Sequence, residues 1–337
     1  MPRKSHNAPA SGELALIARI REAAKARHKH LRLGIGDDCA ILAPPPGHEI
    51  LVTTDFSLEG RHFRREWHPA RSIGHRALAR GLSDLAAMGA TPLAAFLSLA
   101  LPRSANKPIW INNFLDGLLT LAAAAKTPLA GGDTSESPSD NILADIVLLG
   151  SAPASRSLRR STARPGDLLY VTGALGGAAT ELATLALNPR RYRNASPTGD
   201  HPHLYPQPRL TIGQTLLRRQ LATACIDISD GLSTDLAHLC TESGVAAEIQ
   251  AARLPLHRLT KPLPPSEAFH NALHGGEDYE LLFTARPQTR IPRFIEGVPI
   301  TPIGVIHHSR KAVPQVTLVQ AAGDRIPLQP QGWQHLL

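Results

Sequence analysis

The stretch Leu33–Phe63 reads LGIGDDCAILAPPPGHEILVTTDFSLEGRHF and holds two acid-bearing turns, Gly34-Ile35-Gly36-Asp37-Asp38 and Thr53-Thr54-Asp55. Between them lie a proline-rich turn and an apolar run, Ile50 to Val52, that predicts a buried strand. A carboxylate at the end of an apolar strand is costly unless cationic charge neutralises it. The arrangement recurs twice: Pro128-Leu129-Ala130 runs into a turn, Gly131-Gly132-Asp133-Thr134-Ser135, and Ala224–Ile228 carries Asp227 and leads into Ser229-Asp230-Gly231. Any one of these acids is explained by an ordinary turn or helix cap. Four acid turns with glycines beside them point to one site that gathers hard cations and phosphates.

At 337 residues the chain suits two domains, each able to bury its own core, and a hydrophobic content of 42% argues against disorder. No apolar run approaches the roughly 20 residues of a membrane helix, and Met1–Ala10 is followed by no signal-peptide apolar segment. The expectation is a cytoplasmic protein with no membrane partner. Cys39, Cys225 and Cys240 lack the spacing of a zinc site or a disulfide framework and read as reduced thiols. The net charge of +8 comes from basic residues spread along the chain, dense only over Arg19–Arg32. That spread predicts no nucleic-acid partner, and small anionic substrates account for the same sign.

Read in order, Ser11 caps a helix with Leu14, Ile17 and Ile20 on one face, ending in the basic segment Lys25–His30. Ser72 caps a longer one, Ile73–Met88, in which Leu78, Leu82 and Leu85 share a stripe and Asp84 lies off it, either facing a polar cleft or solvated beside Arg80. Leu93–Leu101 predicts a strand, Ile109–Ala125 a helix and Ile142–Leu149 a strand, which together describe helices layered over a sheet. A Ser/Arg-rich stretch after Gly150 marks the boundary, giving domains 1–150 and 151–337. The second half predicts a strand at Leu168–Thr172, a small-residue helix opened by Gly173–Gly177, a mobile loop over Asn188–Pro208 and a helix from Arg209. The Ala224–Ile228 strand, a helix at Leu232–Glu242 and a strand at Val245–Ile249 follow. A Pro-rich loop at Ala251–Pro265, the turn Gly275-Gly276-Glu277-Asp278, and strands at Leu281–Thr284 and Ile303–Ile306 complete the reading.

No GxxxxGK[ST], kinase catalytic loop or GxGxxG is present, so phosphate binding must run through metals and backbone amides. Asp37, Asp38, Asp55, Asp84, Asp133, Asp227 and Asp230, with Thr53, Thr54 and Ser229, are hard-oxygen donors of the kind that suits Mg²⁺. Phe114 is a candidate for an adenine pocket.

The blocks GIGDDCAIL, TTDFSLEGRHF, ALARGLSDLAAMGATP, LAGGDTS, RSTARPGDLLYVTG, IDISDGLSTDL, GGEDYELLFT and GWQHL, in that order over Gly12–Leu336, resemble the thiamine-monophosphate kinase family of the aminoimidazole ribonucleotide synthetase-like superfamily. The resemblance implies a two-domain α/β (α+β) fold: an N-terminal metal- and ATP-binding domain of sheet plus helices, forming a dimeric barrel in a homodimer, and a C-terminal α/β domain completing the active-site cleft. The implied reaction is direct, in-line transfer of a phosphoryl group from ATP, the co-substrate, to thiamine monophosphate, with several Mg²⁺ ions. Residue by residue, the resemblance implies Asp38, Thr53, Thr54, Asp55, Asp84, Asp133, Asp227 and Asp230 as metal ligands. It implies Gly132, Asp133, Arg160 and Ser229 as ATP contacts and His62, Glu277 and Trp333 as thiamine-phosphate contacts, with Asp38, Asp133, Asp227 and Arg160 closest to the chemistry. Thr162, Phe56-Ser57 and Arg61 depart from the family pattern and bear on substrate affinity more than on reaction type. Two other functions share part of the pattern: an ATP-dependent amide-dehydrating ligase of the same superfamily, and a nucleotide-binding regulator without catalysis. The absence of a terminal cysteine counts against a ligase of the hydrogenase-maturation type, and the intact set of acids against a regulator.

Overall fold

The computed structural model describes residues 13–25, 28–309 and 315–333. The expected cap Ser11, the Leu14 side chain and the terminal Gln334–Leu337 lie outside the described residues. The chain divides into two compact units, one of residues 1–46, 52–81 and 92–151, the other of residues 47–51, 82–91 and 152–337. No helix among the described residues is long and apolar enough to cross a membrane.

The first unit opens with α1 (Glu13–Ala23) and the short antiparallel strands β1 (Leu31–Leu33) and β2 (Ile41–Leu42), so the GIGDD segment is the connection between two paired strands. Next along the chain come β3 (His48–Leu58), α2 (Ala70–Ala87), β4 (Thr91–Leu101), α3 (Pro108–Ala124), β5 (Leu129–Glu136) and β6 (Leu143–Pro153), the start of β3 and the end of α2 being counted with the second unit. The last four strands of this series form one sheet in the order β3-β6-β4-β5, with β4 and β5 parallel. Leu78, Leu82 and Leu85 are buried, as their spacing predicts. Ser72 does not cap α2. It lies inside the helix, fully buried, with its hydroxyl donating to the Pro69 carbonyl at 2.8 Å.

Two further expectations change here. The GGDTS segment is not a turn but the body of β5, paired alongside β4 so that Asp133 stands opposite Ser98. Ile50–Val52 is indeed in a strand, but Ile50 is 43% and Val52 62% exposed. With a period of two, Ile50, Val52, Thr54 and Phe56 share one face of β3, and that face is open. Apolar content reports strand propensity, whereas burial depends on what lies opposite.

Helices α2 and α3 cross closely at two glycines. A Cβ on Gly74 would lie 1.9 Å from the Phe114 carbonyl oxygen, and one on Gly117 would lie 1.8 Å from that of Arg71. Backbone cannot move out of the way as a side chain can, so Gly74→Ala should lower stability by about 1–3 kcal/mol, read as a lower urea midpoint at unchanged denaturant slope.

The second unit is built on β7 (Leu168–Thr172), β8 (Ala224–Ile228), β9 (Val245–Gln250), β10 (Glu280–Ala285), β11 (Phe294–Ile295), β12 (Val298–His308), β13 (Val316–Val319) and β14 (Arg325–Pro327). Their order is β14-β13-β9-β12-β7-β10-β8, with β11 on β12. Its helices are α4 (Gly177–Leu187), α5 (Leu210–Arg218), α6 (Leu232–Ser243) and α7 (Pro265–His274). Strand alternation sorts the apolar residues into two cores. Leu169, Val171, Ile226 and Leu282 pack with Leu232, Leu236 and Leu239 of α6, while Tyr170, Cys225, Leu281 and Phe283 pack with Ile212 and Leu216 of α5. Both faces are covered, so these strands read as continuous apolar runs. Helix α7 was not anticipated, because its proline-rich approach resembles a loop. Pro265 stands at its first turn, a place where a missing N–H costs nothing.

The segment 188–208 is not a mobile loop. Tyr192, His203, Leu204 and Tyr205 are buried, and Glu181 of α4, itself 2% exposed, accepts from His201 Nδ1 at 2.6 Å and from the backbone N–H of His203 at 2.8 Å and Leu204 at 3.3 Å. Composition resembles a loop because turn-forming residues dominate, but one buried carboxylate orders the backbone.

Candidate active site

In the first unit, a cavity of about 650 Å³ is lined by the connection between β1 and β2 and by the first half of β5. It brings Asp37, Asp38 and Cys39 together with Gly131, Gly132, Asp133 and Thr134, and Ile17, Ile20, Phe96 and Leu129 form apolar wall. Gly132 is required by close approach: at φ +148° its Cβ would fall 1.8 Å from the Leu97 carbonyl oxygen. Three carboxylates line the cavity, and no lysine, arginine or histidine does so among its described lining residues. The Arg21 guanidinium lies against Gly36, where a Cβ would come within 2.6 Å of Arg21 Cζ.

Thr53 and Asp55 share the inner face of β3, opposite Thr54. Asp55 pairs with Arg80 Nη2 at 3.3 Å, so Arg80 turns to β3. Burial, and then the charge of Asp55, raises the Asp145 carboxyl above its ordinary range. His62 follows β3; its Nδ1 accepts from the Leu58 N–H at 3.0 Å, and its carbonyl accepts from Arg76 Nη2 at 3.1 Å. Phe114 is fully buried and stacks on Trp110 at 5.4 Å, so it cannot line an adenine pocket.

In the second unit, Asp227 is the last residue but one of the buried strand β8 and accepts from Ser83 Oγ at 2.7 Å, next to Asp84, which is half-buried. The Ser229-Asp230-Gly231 turn is then held by a residue that the sequence reading overlooked. Asp235, in the first turn of α6, accepts at Oδ2 from the N–H groups of Ser229 at 3.1 Å, Asp230 at 3.1 Å and Gly231 at 3.0 Å. Burial, with the nearby charges of Asp227 and Asp230, pushes its carboxyl well up. An acid in the first turn after a glycine cap is the signal that could have found it.

Two more segments close on this turn. Glu277 N–H donates to the Ser229 carbonyl at 2.7 Å, and Trp333 N–H donates to that of Asp230 at 3.0 Å. Gly332 is pressed so near that a Cβ would lie 2.0 Å from the Asp230 carbonyl oxygen. Ser229, Asp230, Glu277 and Trp333 therefore form one assembly, with the Trp333 side chain 47% exposed. The acids after Glu277 point elsewhere: Asp278 accepts from Gly176 N–H at 2.7 Å and Ala178 N–H at 3.1 Å, and Glu280 accepts from Arg209 Nε at 2.7 Å and Thr172 Oγ1 at 2.6 Å. Burial lifts the Asp278 carboxyl to about 7 against the pull of those amides. Arg160 is exposed, and its carbonyl accepts from Ser243 Oγ at the C-terminal end of α6, so its backbone is not at the end that carries Ser229 and Asp230. Among the described residues no three His, Cys, Asp or Glu side chains stand close enough to form a metal centre by themselves.

The chain matches the model of the AIR synthase related protein N-terminal domain over residues 36–152 and that of the C-terminal domain over residues 164–309. It is 41% identical over 303 residues to the thiamine-monophosphate kinase of Escherichia coli K12, covering 88% of this chain and 90% of that protein. The chain belongs to the thiamine-monophosphate kinase family. The solved thiamine-monophosphate kinase of Stenotrophomonas maltophilia K279a is 37% identical with a TM-score of 0.79, covering 89% of this chain and 95% of that one. A further solved member, AaThiL complexed with AMPPCP and TMP, is 30% identical with a TM-score of 0.74, covering 96% of this chain and 97% of that one. These likenesses bear out the two-domain mixed fold and the family read from the eight sequence blocks.

The thiols offer a direct check on the cavity. Cys39 is exposed in its lining, whereas Cys225 and Cys240 are buried and burial pushes both thiols up, that of Cys240 to about 12. Titration with a disulfide reagent at neutral pH should therefore count one fast thiol in the native protein and three after unfolding; three fast thiols would contradict this packing.

Proposed function

We propose that the chain transfers the γ-phosphoryl group of ATP directly to thiamine monophosphate, giving thiamine diphosphate, as its relatives' names describe. The observation that carries the reading is the convergence of Asp37, Asp38 and Asp133 on one cavity with a glycine-bearing wall. A polyphosphate cannot enter a lining of carboxylates alone; it enters with cations. The donors are hard oxygens, which fits Mg²⁺. Asp38, Thr53, Thr54, Asp55 and Asp133 would hold ions in the first unit, and Asp84, Asp227 and Asp230 would hold ions in the second. When bound, Mg²⁺ cancels charge on both phosphates and on the transferring group.

The acceptor is a phosphate monoester with a second pKa of about 6, already ionised near neutral pH, so the protein needs no general base. Its work is to position two anions for in-line attack, with no phospho-enzyme. Gly132 lets backbone approach the nucleotide, Ser229 offers a hydroxyl, and Arg160, an ATP contact by the family resemblance, would add a fixed positive charge for the phosphates. His62 contacts the acceptor, Glu277 meets the cationic thiazolium and aminopyrimidine, and the exposed Trp333 face stacks on them. The cytoplasm, which holds ATP and Mg²⁺, is the proposed place of this reaction.

A homodimer is part of this reading. Phe56 is 61% exposed in line with Ile50 and Val52, on a strand at the end of its sheet, and such an apolar strip favours a second copy of the chain. Replacing Val52 with Lys should yield a monomer by light scattering where the parent is a dimer.

The direct test follows ADP and thiamine diphosphate together. Both should form one to one with Mg·ATP and thiamine monophosphate and should stop with EDTA, while Cys39 loses its reactivity toward thiol reagents when Mg·ATP is added. Asp133→Asn should lower kcat by about 100-fold or more with an unchanged thermal midpoint, since Asp133 is exposed and supports no core. Retained turnover in that variant would overturn the cation-based reading.

A further inference from the structure

His203 has no place in the roles assigned so far, yet its position is built with care. The backbone is fixed by the Glu181 carboxylate, which also takes His201, and Tyr205 Oη donates to the Ala195 carbonyl at 3.0 Å across the same segment. Asp200, three residues earlier, pairs with Arg258 and lies 3.4 Å from His257 Nε2. The His203 side chain, 2% exposed, is paired with Glu277: its Nδ1 stands 3.0 Å from Glu277 Oε2, a carboxylate that remains 22% exposed. For a nitrogen to face a carboxylate oxygen at that distance, Nδ1 must carry the proton and donate. Glu277 itself sits in a left-handed backbone conformation, φ +68°, between the Ser229 carbonyl and this histidine. A long side chain on such a turn has several rotamers, and a buried donor on one oxygen selects among them.

We infer that His203 is a positioning residue for the acceptor site: by donating to Glu277 Oε2 it fixes the carboxylate in the orientation that receives the cationic ring system of the substrate. The inference rests on the reading of Glu277 as a thiamine-phosphate contact. It also gives the segment 188–208 a role, since Glu181 orders that segment and the segment delivers His203 to the Ser229-Asp230-Glu277-Trp333 assembly. The effect should be confined to the acceptor, because the histidine acts through Glu277 and not on the phosphates.

The test is steady-state kinetics on the full chain with both substrates varied. His203→Ala should raise KM for thiamine monophosphate by about tenfold or more, the scale of a hydrogen bond to a charged group, with KM for ATP within about twofold of the parent. His203→Asn places an amide nitrogen near the position of Nδ1 and should recover most of the loss, whereas His203→Gln places it near Nε2 and should not. In a Glu277→Gln background the Ala substitution should add little. A full, additive loss in that background, equal rises in both KM values, or Asn and Gln behaving alike would overturn the inference. If His203→Ala does not give a cooperative thermal melt, the Asn and Gln pair decides the matter. Absence of thiamine diphosphate formation by the parent protein would instead count against the proposed reaction, so the two failures are distinct.

Discussion

A carboxylate withdrawn from water must find donors, find a cation or give up its charge, and this chain meets that requirement differently at each of its acids. Asp55 has the guanidinium of Arg80, Asp227 has the hydroxyl of Ser83, Asp235 gathers three backbone amides and Asp278 two. Those solutions have structural by-products. Asp235 shapes the turn that carries Ser229 and Asp230, and Asp278 fixes the entry to α4. The acids left facing the cavity, Asp37, Asp38 and Asp133, have no basic neighbour among its described lining residues. It is their charge that the proposed cations would neutralise.

The glycines beside these acids follow from a different constraint, the exclusion of a Cβ by neighbouring backbone. Gly132 runs against the Leu97 carbonyl in β4, and Gly332 against the carbonyl of Asp230. In each case the close approach fixes the backbone just before a residue that the proposed function uses, Asp133 or Trp333. The GGEDYE segment extends this division of labour. Glu277 turns to the Ser229 assembly, Asp278 to the α4 amides and Glu280 to Arg209 and Thr172, so one short run ties together a turn, a helix entry and a sheet.

Much of the architecture was legible because local signals and burial agreed. Helix α2 has a leucine stripe whose members are all buried, and the strands of the second unit are apolar on both faces because α5 and α6 cover both. The misreadings occurred where local signal and environment part company. Ile50 and Val52 form a strand yet stay exposed; the segment 188–208 has the composition of a loop yet is ordered by Glu181; GGDTS has turn residues yet pairs as β5. Of the site, the acids and the glycines beside them could be read from type and spacing, but not that Thr53-Thr54-Asp55 and GGDTS are strand and not turn. Asp235 and His203 could not be assigned as supports, because their partners lie on other segments, and Phe114 was misread because an aromatic in a helix does not announce which way it faces.

The sequence by itself determined the chemistry on offer: hard-oxygen acids in glycine-bearing segments, no P-loop lysine, a carboxylate and a tryptophan suited to a cationic ring, and block order enough to place the chain in its family. Residue type is sufficient for that, since pKa, hardness and charge belong to the side chain. Only the tertiary structure decided which acids are spent on holding backbone and which face a cavity, that Glu277 and Trp333 meet at one turn, and that His203 stands behind Glu277. Those outcomes depend on distances of about 3 Å between segments far apart in the chain, set by the packing of whole elements, and spacing along the sequence carries no record of them.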